Sequence, residues 1–237
     1  MRVLKRRLYV VILMVMILTL SSCGKKIKKK DSISLAAGES GITLKDDGKV
    51  IYQIRESFDK DYFDKDDLKK IIKEELDEFN KGLSDDKKKA ELSEYEVKDE
   101  ECELAITFAD MEQFVNYINE MEKPIEDFYV YVGTYGEVDS SVYGSCDMVL
   151  AAEDAKEVES ESSADIADGQ LVGSDETENT TVKSVSDLKI AADSKVIILN
   201  KNLKIKLPGD VIAVSPNTSV TDNIAHTDSE ESYIFYK

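Results

Sequence analysis

The chain has 237 residues, with 49 acidic against 31 basic side chains and a formal charge of −18 with its single histidine neutral. That excess repels polyanions and argues against specific nucleic-acid binding. One histidine and three cysteines argue against a zinc centre, which generally wants several such ligands, and the length permits one modest domain or two small ones.

The first residues read as an export leader. Arg2, Lys5, Arg6 and Arg7 form a basic start, and an apolar run from Leu8 to Leu20 follows, broken only by Thr19. The run falls short of the roughly 17–25 residues of a comfortable membrane span, which fits a signal peptide (1–22). It ends in Leu20-Ser21-Ser22-Cys23-Gly24. Here the sequence resembles the bacterial lipoprotein class, whose lipobox runs Leu-small-small-Cys. The resemblance implies diacylglyceryl transfer to the Cys23 sulfur, cleavage before Cys23 and, in many bacteria, acylation of the new amino terminus. Two or more acyl chains anchor stably where one does not, at about 0.8 kcal/mol per buried CH₂. Membrane attachment through lipid on the extracytoplasmic side is therefore expected. Cleavage there would remove four basic side chains and no acidic ones, moving the formal charge from −18 to −22.

Five lysines between Gly24 and Asp31 read either as a solvated spacer or as a patch against anionic lipid. Asp31 to Gly41, rich in Ser, Ala and Gly, reads as a flexible stalk, so 23–41 is expected to be a tether. From Ile42 the pattern becomes that of a folded α+β domain ending near residue 150. Thr43-Leu44 and Val50–Ile54 flank Asp46-Asp47-Gly48, a hairpin turn sequence. A helix is predicted near Asp66–Lys81, capped by Asp64 or Asp66, with Leu68, Ile71, Ile72, Leu76 and Phe79 at helical spacing and Gly82 as its stop. A second hairpin, Glu94–Lys98 with Glu103–Phe108, turns at Asp99-Glu100. Asp110 starts a second helix with Phe114, Val115, Ile118 and Met121 inward, and Pro124 lies just beyond it. Strands follow at Phe128–Val132 and Asp147–Ala151. The order ββαββαβ predicts an antiparallel or mixed sheet with two helices on one face.

Residues 151–187 are Glu-, Asp-, Ser- and Ala-rich and read as an acidic disordered linker or loop. The remainder, 188–237, reads as a β-rich segment with strands at Val196–Leu199, Leu203–Leu207, Val211–Val214 and Tyr233–Tyr236. The pattern leaves open whether these strands join the first sheet.

Chemical motifs are sparse. The acidic run Asp59–Asp67 fails the calcium-loop pattern, with Phe63 at the third ligand position, Asp64 at the required glycine and Lys70 at the closing glutamate. Acidic residues there suit a helix start. His226 stands without a nucleophile elbow, in what reads as a surface loop. Ser-x-x-Lys occurs three times, at Ser57, Ser84 and Ser186, without a Lys-Thr-Gly partner. Cys102 and Cys146 share parity with apolar neighbours and read as buried thiols, a disulfide being the alternative. The aromatic concentration Phe128, Tyr129, Tyr131, Tyr135 and Tyr143 offers one candidate binding face. Alternation puts Tyr129 and Tyr131 together, against a half-buried strand as the plainer reading. No catalytic residue, metal or cofactor is expected.

The whole chain is also similar to uncharacterised lipoproteins of clostridial-type Gram-positive bacteria, in its leader, its hairpin-helix start and its β-rich end; the similarity implies no activity. The expected role is non-catalytic binding of an envelope protein or a cationic ligand. An envelope hydrolase and a structural cation-binding surface protein are the alternatives.

Overall fold

The computed structural model describes residues 32–60, 64–84, 87–124, 127–138, 147–150, 182–185, 188 and 190–237. The leader, the lipobox and the Lys-rich spacer lie outside the described residues. The fold is α+β, with two mostly antiparallel sheets and a β-rich C-terminal part. It divides into two compact units: residues up to Val130 with Lys201–Pro208, and Tyr131–Asn200 with Gly209–Lys237. The division falls at residue 130, not at the end of the expected 42–150 domain.

In the first unit, β1 (Glu39–Leu44) and β2 (Val50–Ser57) form the predicted hairpin. The Gly48 amide donates to the Lys45 carbonyl at 2.9 Å with φ +81°, the left-handed conformation that this turn needs and that glycine adopts without cost. β3 (Glu91–Lys98) and β4 (Glu101–Phe108) make the second hairpin, and β4 also pairs with β2. β9 (Lys204–Lys206) returns from the C-terminal part to pair with β1 in parallel, so the C-terminal part does contribute to the first sheet. Helix α1 (Lys65–Lys81) is capped by Asp64, whose carboxylate accepts from the Asp66 and Asp67 amides. Gly82 ends it with φ −77°, so no left-handed cap is used. Helix α2 (Met111–Tyr117) is capped by Asp110, which accepts from the Gln113 amide at 2.8 Å. It runs on as a π-helical turn, Ile118–Glu122, closed by left-handed Lys123.

Register decides which face the helices cover. Val50, Tyr52, Phe108, Ile106 and Ile42 share one side of the pleat, and α1 and α2 pack there. Phe114 sits at the centre, fully buried, with ring centroids 5.2 Å from Tyr52, 5.6 Å from Phe108 and 5.5 Å from Phe128. Tyr117 adds a buried ring beside Phe79 and Phe108, a core position missing from the predicted inner face.

The β3–β4 turn uses two left-handed non-glycine residues, Asp99 (φ 52°) and Glu100 (φ 63°). Such a residue costs about 1–2 kcal/mol, against roughly 0.4–1 kcal/mol of extra unfolded-chain entropy for glycine. Glu100→Gly is therefore expected to raise stability by about 0.5–1 kcal/mol, read as a higher urea midpoint with unchanged slope. The Glu100 carbonyl that accepts from the Phe58 amide at 2.6 Å is kept. A lower midpoint would contradict this reading of the turn.

The second unit holds a six-stranded sheet in the order β5-β8-β13-β10-β6-β7. Its strands are β5 (Val130–Thr134), β6 (Asp147–Leu150), β7 (Val182–Ser184), β8 (Lys195–Leu199), β10 (Val211–Val214) and β13 (Ser232–Tyr236). A hairpin of β11 (Ser219–Thr221) and β12 (Ile224–His226) belongs to the same unit. Val196–Leu199, Val211–Val214 and Ser232–Tyr236 are buried at both parities, which is why they read as unbroken apolar runs. Met148, Val185, Ile198, Ala213 and Phe235 pack together in one core cluster.

Two boundary expectations are corrected. The stalk does not reach Gly41: Ile33 and Leu35 are buried, each 6% exposed, and β1 begins at Glu39. Their alternation with Ser32 and Ser34 buries one apolar edge against the sheet. The linker 151–187 ends early: residues 151–181 lie outside the described residues, but Val182–Ser184 pairs with β6, and Val185 and Leu188 are buried.

Candidate functional site

Edge strands are where a sheet can accept a further strand, and two edges here differ in chemistry. β3 ends the first sheet. Its sequence, ELSEYEVK, carries Glu91, Glu94 and Glu96, and its pairing slips between Leu92 and Glu94. Charges and a bulge are devices that discourage edge pairing. β5 ends the second sheet, and its sequence VYVGT has no charged residue. Tyr131 is 43% and Val132 39% exposed. Consecutive residues point to opposite faces, so both faces of β5 meet solvent. The Tyr131 ring lies along its own strand, in space that a Cβ at Gly133 would occupy. Lys195 of β8 donates to the Thr134 hydroxyl at 2.9 Å.

Tyr129, the other predicted binding residue, is 40% exposed and lies just ahead of β5, on the first unit's side of the division. The expected strand Phe128–Val132 is displaced by two residues. Phe128 is captured by the first core, and Asn119 clasps its backbone, donating to the Phe128 carbonyl at 2.7 Å and accepting from its amide at 2.8 Å.

A polar network around two buried tyrosines is the feature that sequence reasoning missed. The π-helical turn presents Glu122, which accepts from the Tyr52 hydroxyl at 2.9 Å and from Lys201 at 2.7 Å. Beside it the Tyr117 hydroxyl donates to Glu75 at 3.2 Å. Burial, then the charge and hydrogen bond of Glu122, hold the Tyr52 phenol well above its ordinary range, so it stays protonated and serves as a donor. Burial pushes Glu75 up, the Tyr117 hydrogen bond opposes this, and the charges of Glu122 and Glu78 add to it. No sequence signal marks a π-turn, and Glu75 and Glu122 are two acids among 49.

Glu75 gives a pH prediction. Its folded-state pKa lies above the ordinary value of about 4.3, so folding takes up a proton between the two values. Stability contributed by this site is full at the acid end and is lost as pH rises through the folded pKa. Glu75→Gln keeps an oxygen for the Tyr117 hydroxyl and removes the charge. It is expected to raise the melting temperature at pH 7 and to flatten the stability gain expected on acidification below it. An unchanged pH profile would contradict the assignment.

The pocket described in the first unit is a groove of about 330 Å³ between Ser32–Leu35 and the sheet, lined also by Gln53, Arg55, Glu94, Glu103 and Ala105. Arg55 is engaged there: its Nη1 donates to the Leu35 carbonyl at 2.9 Å, and its other nitrogens meet Glu101, with Glu103 at 3.1 Å. Glu75 and Glu122 do not line this groove.

The remaining sequence candidates fall apart in space. Asp64 of the acidic run caps α1, and Asp59 pairs with Lys60. Among the described residues no group of three His, Cys, Asp or Glu side chains could hold a metal ion. His226 ends strand β12, half-buried, not in a loop. Cys102 is a buried free thiol, pushed up to about 12 chiefly by burial. Cys146 and Ser186 lie outside the described residues. Ser57 and Ser84 are exposed, and Lys60 meets Asp59 rather than Ser57.

Comparison of the chain with protein-family models, with curated proteins and with solved structures gave no match. The geometry therefore carries the functional argument.

Proposed function

We propose that this chain is a lipid-anchored extracytoplasmic lipoprotein that acts without catalysis, binding a partner protein of the cell envelope. The lipobox Leu20-Ser21-Ser22-Cys23 supports the anchor. The observation that carries binding is the uncharged, two-face-exposed edge strand β5, in contrast to the edge strand β3 of the other sheet, which is guarded by glutamates. An extended segment added to β5 would gain main-chain hydrogen bonds along Tyr131–Thr134 and side-chain contacts with Tyr131 and Val132. A formal charge of −18 disfavours a second copy as that partner and favours a neutral or basic segment.

Photo-crosslinking in intact cells tests this. A photoreactive aromatic amino acid at position 131 is expected to give a discrete protein adduct, and the same group at position 96 in β3 none. Val132→Lys should abolish the adduct at 131. Equal adducts at both positions, or none at 131, would overturn the reading.

A further inference from the structure

We infer that Ser32–Leu35 is a clasp that fixes the length of the membrane tether; the inference rests on lipidation at Cys23. Three hydrogen bonds hold the segment and a fourth holds Ala36, the residue after it. The Ile33 amide donates to Gln53 Oε1 at 3.0 Å, and Arg55 donates to the Leu35 carbonyl at 2.9 Å. The Ala36 amide donates to Glu39 Oε2 at 2.6 Å, and Lys206 of β9 reaches the Ser32 carbonyl at 3.5 Å. Ile33 and Leu35 bury their side chains in the same place. Gly41 leaves room for Ile33, since a Cβ there would come within 3.2 Å of Ile33 Cδ1. Arg55, fixed in turn by Glu101 and Glu103, joins the clasp to β4.

The consequence is a distance. Cys23 and Ser32 are nine residues apart, and nine residues reach at most about 30 Å however they are arranged. Without the clasp the first fixed residue would be Glu39, the start of β1, sixteen residues from Cys23. The limit would then be about 55 Å, roughly 1.8-fold longer. The clasp thus keeps Ser32, and with it the point where the first unit is held, within about 30 Å of a lipidated Cys23.

The test uses the full-length lipidated protein in vesicles that carry acceptor-labelled lipid. A donor fluorophore sits on Lys49→Cys, in the exposed β1–β2 turn, in a Cys146→Ser background. Ile33→Asp with Leu35→Asp should lower energy transfer to the level given by inserting seven Gly/Ser residues before Asp31 in the otherwise unchanged chain. Gln53→Ala, which removes one clasp hydrogen bond and no core side chain, should give an intermediate loss. Circular dichroism confirms folding of each variant. Transfer unaltered by releasing the clasp, while the insertion lowers it, would overturn the inference. So would an insertion without effect. Failure of the unaltered protein to float with vesicles would instead overturn lipidation, so the two failures are distinguishable.

Discussion

Phe114→Ala is expected to cost about 3–5 kcal/mol of stability, the range for deleting a buried aromatic ring. Phe114 is fully buried and touches three other rings, from β2, β4 and the segment before β5. Each neighbour is itself held: Tyr52 by Glu122, Phe128 by Asn119 and Phe108 by its place in β4. The cavity therefore collapses little, and the cavity cost adds to the lost transfer energy. Domains of this size have roughly 5–15 kcal/mol in total, so the variant should unfold at a much lower urea concentration. A loss below about 1 kcal/mol would mean that the aromatic cluster is not the centre of the first core.

Gly41→Ala is expected to destabilise by about 1–3 kcal/mol, although glycine-to-alanine changes commonly help by restricting the unfolded chain. The sign follows from what the methyl group would meet. It would stand 2.6 Å from the Lys204 carbonyl oxygen and 3.2 Å from Ile33 Cδ1. The first is backbone of β9 and cannot rotate away; the second belongs to the clasp. Amide exchange at Ile33 should quicken together with the fall in stability. A stabilised variant would contradict the parallel β1–β9 pairing.

Local signals carried much of the first unit. The Asp46-Asp47-Gly48 turn, the Asp64 and Asp110 caps and the stripe from Leu68 to Phe79 each depend on neighbours a few residues away, and each appears in the fold. What was hidden depends on distant partners. Ile33 and Leu35 alternate as a strand would, but the serines and Ala36-Ala37-Gly38 around them look like a linker until Gln53 and Arg55 are seen to hold them. The β1–β9 pair joins Gly41 to Lys204, and nothing in either stretch announces the other. β11 and β12, with three residues each and mixed polarity, are too short to show a period. Phe128 continues the strand pattern of Val130 and Val132 in the sequence, but its ring packs on Phe114 and its backbone is held by Asn119. For the candidate site, Tyr129 and Tyr131 are 40% and 43% exposed, which does not by itself make a binding face, and the unguarded edge of β5 emerges only from the order of strands in the sheet.

The proposed anchoring through Cys23 is the premise of both the proposed envelope role and the inferred clasp, and metabolic labelling with a fatty acid addresses it most directly. The full-length chain and its Cys23→Ser variant are expressed side by side in a bacterial host, and label is followed into each. Label is expected in the unaltered protein and none in the variant, which should remain as an unprocessed precursor or leave the membrane fraction. Equal labelling of both chains, or an unlabelled protein processed at another site, would contradict anchoring through Cys23.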